Sequence, residues 1–118
     1  MADNDRPVGK TTIAPDVLTT IARLTALSVP GVSRLNAEPA PSGRLFKRTG
    51  SEGVRITVEN NLVYADLFVI LRQDVSVRDV SRAIQHQVAR AISEMVGMEV
   101  GRVNIHVENI DYGPQAEA

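Results

Sequence analysis

Residues 76–95, SVRDVSRAIQHQVARAISEM, constrain the fold of this chain more than any other stretch. Val77, Val80, Ile84, Val88, Ala91, Ile92 and Met95 recur at three- and four-residue spacing, which gathers them on one face of an α-helix. Arg78, Arg82, His86 and Arg90 fall on a second stripe, four residues apart. The first stripe needs a core to cover; the second faces water or an acidic partner. Ser76 is placed to cap the N-terminus, with Asp79 three residues on in the manner of a capping box, and Gly97 readily turns left-handed at the other end. A helix bounded in this way at both ends must lie on an apolar surface supplied by the rest of the chain.

Strands supply it. In residues 62–72, Val63, Ala65, Leu67, Val69 and Leu71 alternate with Tyr64, Asp66, Phe68 and Ile70, and both sets are largely apolar, as in a central strand covered on two sides. Val54, Ile56 and Val58 alternate with Arg55, Thr57 and Glu59, and Asn60-Asn61 offers turn chemistry between this strand and the next, since asparagine tolerates positive φ. Residues 100–110 form another half-buried strand, with Val103, Ile105 and Val107 on one side and Asn104, His106 and Glu108 on the other. Residues 31–35 read as a short strand. Ahead of it, Val17, Leu18, Ile21, Leu24 and Leu27 form the apolar stripe of a helix over 15–28, opened by Pro15 and stopped by Pro30-Gly31. Thr19, Thr20 and Thr25 weaken its intrinsic propensity, so it depends on docking.

These elements predict an α+β fold, a two-layer sandwich of order α-β-β-β-α-β with two helices packed on one face of a mixed four-stranded sheet. The link from 62–72 through the long helix to 100–110 is expected to be a right-handed crossover, making those strands parallel. At 118 residues the chain suits one domain: a flexible tail over 1–11, a domain over 12–111 and a tail over 112–118. The sheet face away from the helices would hold Arg55, Thr57, Tyr64, Asp66, Phe68, Ile70, Asn104 and His106. Exposed Tyr64, Phe68 and Ile70 in that set either form an interaction surface or are covered by the first strand, the long loop or a tail folding over them.

Residues 37–53, AEPAPSGRLFKRTGSEG, have no period that would bury them. A loop of this length in a small domain is commonly functional, and this one carries Arg44, Lys47 and Arg48 around Leu45 and Phe46. It is either a basic finger with an aromatic tip for a partner or a solvated insertion between strands.

The search for chemistry is mostly negative. Without cysteine there is no disulfide, thiolate metal site or cysteine nucleophile. His86 and His106 are the two histidines, and no helical or hairpin spacing sets either beside a second histidine and a carboxylate as metal ligands. Gly9-Lys10-Thr11 resembles the end of a phosphate-binding loop, but Asn4 stands where the first glycine is required and no strand precedes it. The reading is therefore a non-enzyme with no cofactor and no bound metal. A net charge of −1 and an aromatic content of 3% argue against nucleic acid as a general partner. No apolar run reaches the roughly 20 residues of a membrane span, so direct membrane insertion is not expected.

Several short motifs in a fixed order carry a resemblance. Val17-Leu18 with Ile21-Ala22, Val29-Pro30-Gly31-Val32, alternating Val54, Ile56 and Val58, Ala65-Asp66-Leu67, Ile84-Gln85 with Val88, Met95 with Gly97-Met98 and Val100, and Val103-Asn104-Ile105 with Val107 together resemble the bacterial alkaline shock protein family, also described as a general-stress or envelope stress-response family. The likeness runs from Thr12 to Ile110, and the long 37–53 loop departs from it. The resemblance implies a cytoplasmic stress-response scaffold that self-associates or docks to a protein partner, either a family paralogue or a small membrane-anchored protein that would bring it near the membrane. It supplies no catalytic residues. The expected partner-binding residues are Tyr64, Phe68, Ile70, Arg78, Arg82, His86 and Arg90, with loop contacts from Arg44, Phe46, Lys47 and Arg48. The alternative from another class is a small nucleic-acid-binding module using the basic helix stripe and the basic loop.

Overall fold

The computed structural model describes residues 9, 12–36 and 53–113. The tails expected over 1–11 and 112–118 lie mostly outside these residues, as does the basic loop with Arg44, Phe46, Lys47 and Arg48. The elements follow the predicted order: α1 (Pro15–Ser28), β1 (Val32–Leu35), β2 (Val54–Glu59), β3 (Leu62–Arg72), α2 (Val77–Val96) and β4 (Glu99–Asp111).

The local signals behind those boundaries are visible in the backbone. The Ser76 side chain accepts a hydrogen bond from the Asp79 amide at 3.2 Å, and Gly97 closes α2 at φ 78°. Asn60 and Asn61 both take positive φ, 51° and 68°, as a two-residue turn between right-twisted strands demands. Pro15 occupies the first turn of α1, where its missing N–H costs nothing. Buried Thr19 satisfies its hydroxyl on the Pro15 carbonyl one turn back, at 3.2 Å.

β3 is the axis of the sheet. It pairs with β4 in parallel along its whole length, from Leu62 beside Glu99 to Arg72 beside Asp111. It pairs antiparallel with β2 over Leu62 to Leu67, and antiparallel with β1 over Val69 to Leu71. Because β4 occupies one edge of β3 throughout, β1 and β2 must share the other, end to end and running the same way. At their junction the Asn36 amide donates to the Phe68 carbonyl at 2.7 Å, and the Phe68 amide donates to the Gly53 carbonyl at 2.9 Å. In an antiparallel ladder one residue makes both of those bonds. Here Asn36 supplies its N–H and Gly53 its C=O, so residues 37–52 are an insertion into a single edge strand at the position facing Phe68. The mixed sheet thus has four strands in three ranks.

Both helices lie on the face of Val63, Ala65, Leu67, Val69 and Leu71, none of which is exposed. α1 packs against β1, β2 and α2, while α2 packs against α1 and β4. Ile84, Val88 and Ile92 of α2 are fully buried against them, and each such side chain contributes about 1.5–3 kcal/mol by leaving water. β4 carries two bulges: Gly101 and Glu108 have no register partner, so the inward phase passes from Val103, Ile105 and Val107 to Ile110.

Several expectations need correction. The α1 stripe splits: Leu18 is buried together with Ala22 and Ala26, whereas Val17, Leu24 and Leu27 are exposed. The small alanines let the helix axis approach α2 and the sheet, so that face wins the core although its side chains are shorter. Val77 and Met95 are also exposed. They lie on the apolar stripe of α2 but in the end turns of a helix about 30 Å long, which outruns the surface it covers. Val58, at the far end of β2, is exposed for the same reason.

Candidate docking face

The alternation of β3 and β4 sends Tyr64, Asp66, Phe68, Asn104 and His106 to the sheet face away from α1 and α2. Register sets Asp66 beside Asn104 and Phe68 beside His106. The imidazole of His106 stacks on Phe68 with ring centroids 4.6 Å apart and planes at 13°, a geometry that rewards an aromatic pair by about 0.5–1.5 kcal/mol beyond burial. From β2, the Arg55 guanidinium lies over the opposite part of the assembly, 5.4 Å from the Phe68 centroid. Phe68 is half-buried rather than free, held by its neighbours on both adjacent strands.

Asp66 anchors the polar half of this group. Its Oδ1 accepts from Asn104 Nδ2 at 3.1 Å and lies 3.0 Å from His106 Nε2. The bond from His106 holds the Asp66 carboxyl below the usual carboxylate range; partial burial opposes it and the Asn104 bond adds to it. At the lower end, Tyr64 lies over Gly101, where an added Cβ would stand 2.6 Å from Tyr64 Cε1. The bulge at Gly101 therefore makes the space in which the Tyr64 ring sits.

Ile70 does not belong to the exposed patch expected from the sequence: it is 6% exposed. Arg34, its register partner on β1, reaches across β3 to Asp111 on β4, with Nη1 and Oδ2 3.4 Å apart, and so crosses the strand above Ile70. Ser33, the bulged residue of β1, donates to the same Asp111 oxygen. That bond, then the Gly113 amide, holds the Asp111 carboxyl below its ordinary value. The open face is closed at this end and presents Tyr64, Phe68 and His106 at the other, beside the junction of Asn36 and Gly53 from which the basic insertion departs.

The basic stripe is elsewhere. Arg78, Arg82, His86 and Arg90 are exposed on α2, on the side of the domain away from the open sheet face. Arg90 pairs with Glu94 one turn on, Nε to Oε2 at 3.0 Å. The residues expected to bind a partner thus divide between two surfaces and form no single site. Between α2 and β4 runs an open groove of about 660 Å³, lined by Gln85, His86, Arg90, Arg102 and Val103. Gln85 Nε2 donates across it to the Val103 carbonyl at 3.0 Å.

Sequence reasoning placed Asp66 and Asn104 on the open face without assigning them to the site. The available signal was their two-residue offset from Phe68 and His106, which puts them in the same pair of ladders. No group of three or more His, Asp or Glu side chains is placed to hold a metal among the described residues, and no helix among them is long and apolar enough to cross a membrane.

Comparison with known proteins follows the same lines. The model of the alkaline shock protein 23 family, described as having a cell envelope-related function, matches residues 3–112. The "Uncharacterized protein YqhY" of Bacillus subtilis (strain 168) is 25% identical over 99% of this chain and 88% of its own length. The "Uncharacterized protein Spy1535" of Streptococcus pyogenes serotype M6 (strain ATCC BAA-946 / MGAS10394) is 37% identical over 87% of this chain and 80% of its own length. Among solved structures, the copper form of MamM CTD superposes with a TM-score of 0.57 over 85% of this chain and 90% of that one, at 14% identity. That likeness is one of fold.

Proposed function

This chain belongs to the alkaline shock protein family, and on that premise we propose that it is a non-enzymatic scaffold with a cell envelope-related role, docking a protein partner on its open sheet face. The partner in this reading is a membrane-anchored protein that holds this domain at the envelope. The observation that carries it is the stacked Phe68–His106 pair, half-exposed on a face that none of the described helices covers, beside the base of the basic insertion. An aromatic platform flanked by Arg55 and preceded in sequence by Arg44, Lys47 and Arg48 fits a partner segment that is acidic with an apolar anchor. The membership supports the envelope role, and the wide groove between α2 and β4 offers no enclosed site for chemistry.

The test is capture of tagged chains from separated membrane and soluble fractions. The reading expects one protein to accompany the parent chain from the membrane fraction in near-equal amount, and to be lost from Phe68→Ser while the variant stays folded. Equal recovery with the two chains would remove the sheet face from the account.

A further inference from the structure

The exposed side of α1 has a pattern that its role in the core does not use. Within α1, Val17, Thr20, Leu24 and Leu27 follow one another at intervals of three, four and three residues, the seam of a helix that packs against another helix. All four are exposed: Val17 by 43%, Leu24 by 56% and Leu27 by 40%, with Thr20 beside them. The buried line of Leu18, Ala22 and Ala26 is on the opposite side of the same helix. α1 is therefore apolar on two sides, and only one is covered by the described residues.

Its charges say what fits the other. Asp16 and Arg23 are the only charged residues of α1. They are seven residues apart, so they flank the seam on the same side, and neither forms an ion pair among the described residues. In an antiparallel pair of identical helices, flanking positions of this kind face one another across the seam. Asp16 of each copy then meets Arg23 of the other, twice, about a two-fold axis between Thr19 and Thr20. At that register Leu24 falls beside Val17 of the second copy, and the short Thr20 side chains meet at the axis, where the helices come closest. A parallel pair would set Asp16 against the apolar Ile21 and make no ion pair. One surface that is complementary to itself in both shape and charge is what an isologous contact requires.

We propose that α1 is the interface through which two copies of this chain pair antiparallel, independently of the partner docking on the sheet face. Asp16 and Arg23 form the two symmetric ion pairs, and Val17, Leu24 and Leu27 form the apolar seam.

Sedimentation equilibrium on the full chain tests it by charge reversal. The parent is expected to reach twice its monomer mass as concentration rises. Asp16→Arg or Arg23→Asp alone puts like charges together at both ends and should weaken pairing by at least about tenfold. Mixing the two variants in equal amounts restores opposite charges at both contacts and should bring association back to within about threefold of the parent. That recovery also shows that each variant is folded. Phe68→Ser, which leaves α1 intact, should dimerise as the parent does. A parent that stays monomeric up to millimolar concentration overturns the proposal, as do single variants that dimerise like the parent or a mixture that fails to recover. If Phe68→Ser alone abolishes the dimer, pairing belongs to the sheet face, and the α1 interface is excluded while the docking reading stands.

Discussion

Asn36 and Gly53 together fill one position of the strand beside β3: the amide of the first and the carbonyl of the second make the two backbone bonds to Phe68, at 2.7 and 2.9 Å. Leu35 precedes this position opposite Val69, and Val54 follows it opposite Leu67, so the register runs on without a gap. The ends of the insertion are thus fixed by the same residue whose ring marks the open face.

Deleting residues 37–53, so that Asn36 continues directly into Val54, should leave a cooperatively folding domain. Asn36 then makes both bonds to Phe68, and the closure entropy of a long loop is removed. Thermal unfolding should occur at or above the temperature of the parent. Loss of a cooperative transition would show that β1 and β2 are separate strands rather than halves of one.

Phe68→Ser and Ile70→Ser should differ in cost, although the two residues lie on the same face of β3. Phe68 is half-exposed, and its loss should cost about 1 kcal/mol through the His106 stack and the cross-strand contacts. Ile70 lies beneath the Arg34–Asp111 contact, and placing a hydroxyl there should cost about 2–4 kcal/mol. Urea unfolding of the two variants checks the order, and equal costs would mean that Ile70 is not covered in solution.

The acid limb of stability should depend on Asp66. Its folded-state carboxyl is held below the ordinary value, so the unfolded chain binds that proton more readily. The contribution is present above the unfolded value of about 3.9 and is lost as pH falls through the lowered folded value. Asp66→Asn removes it, so the gap in stability between parent and variant should narrow as pH is taken from about 6 toward 3. Asp111, lowered in the same direction by Ser33 and Gly113, leaves the variant with some remaining acid sensitivity. A gap that widens on acidification would contradict the sign.

Gly101→Ala should destabilise the domain by about 1–3 kcal/mol, because the new methyl meets the Tyr64 ring at 2.6 Å. In a Tyr64→Ala background the same change should cost much less. The coupling in that double-mutant cycle is the measurement; additive costs would place the strain in the backbone of the bulge instead.

The elements and their ends were legible in the sequence because their signals are local. Ser76 and Gly97 cap α2 within a turn, Asn60-Asn61 sets its hairpin by its own φ angles, and the two-sided apolar pattern of residues 62–72 belongs only to a central strand. The open face was legible to the same depth: alternation put Tyr64, Phe68, Asn104 and His106 together. It could not show that Asp66 would take bonds from both Asn104 and His106, since that needs the register between β3 and β4, which the bulges at Gly101 and Glu108 set.

By itself, then, the sequence determined which segments are helix and strand, where they stop, and which side chains share a side of each. Tertiary structure alone decided what lies against those sides. Periodicity refers each residue to the axis of its own element, and burial depends on a second element arriving there. That is why Ile70 is covered by a contact reaching from β1 to β4, why β1 and β2 merge into one edge, and why the alanine side of α1 faces the core while Val17, Leu24 and Leu27 face away from it.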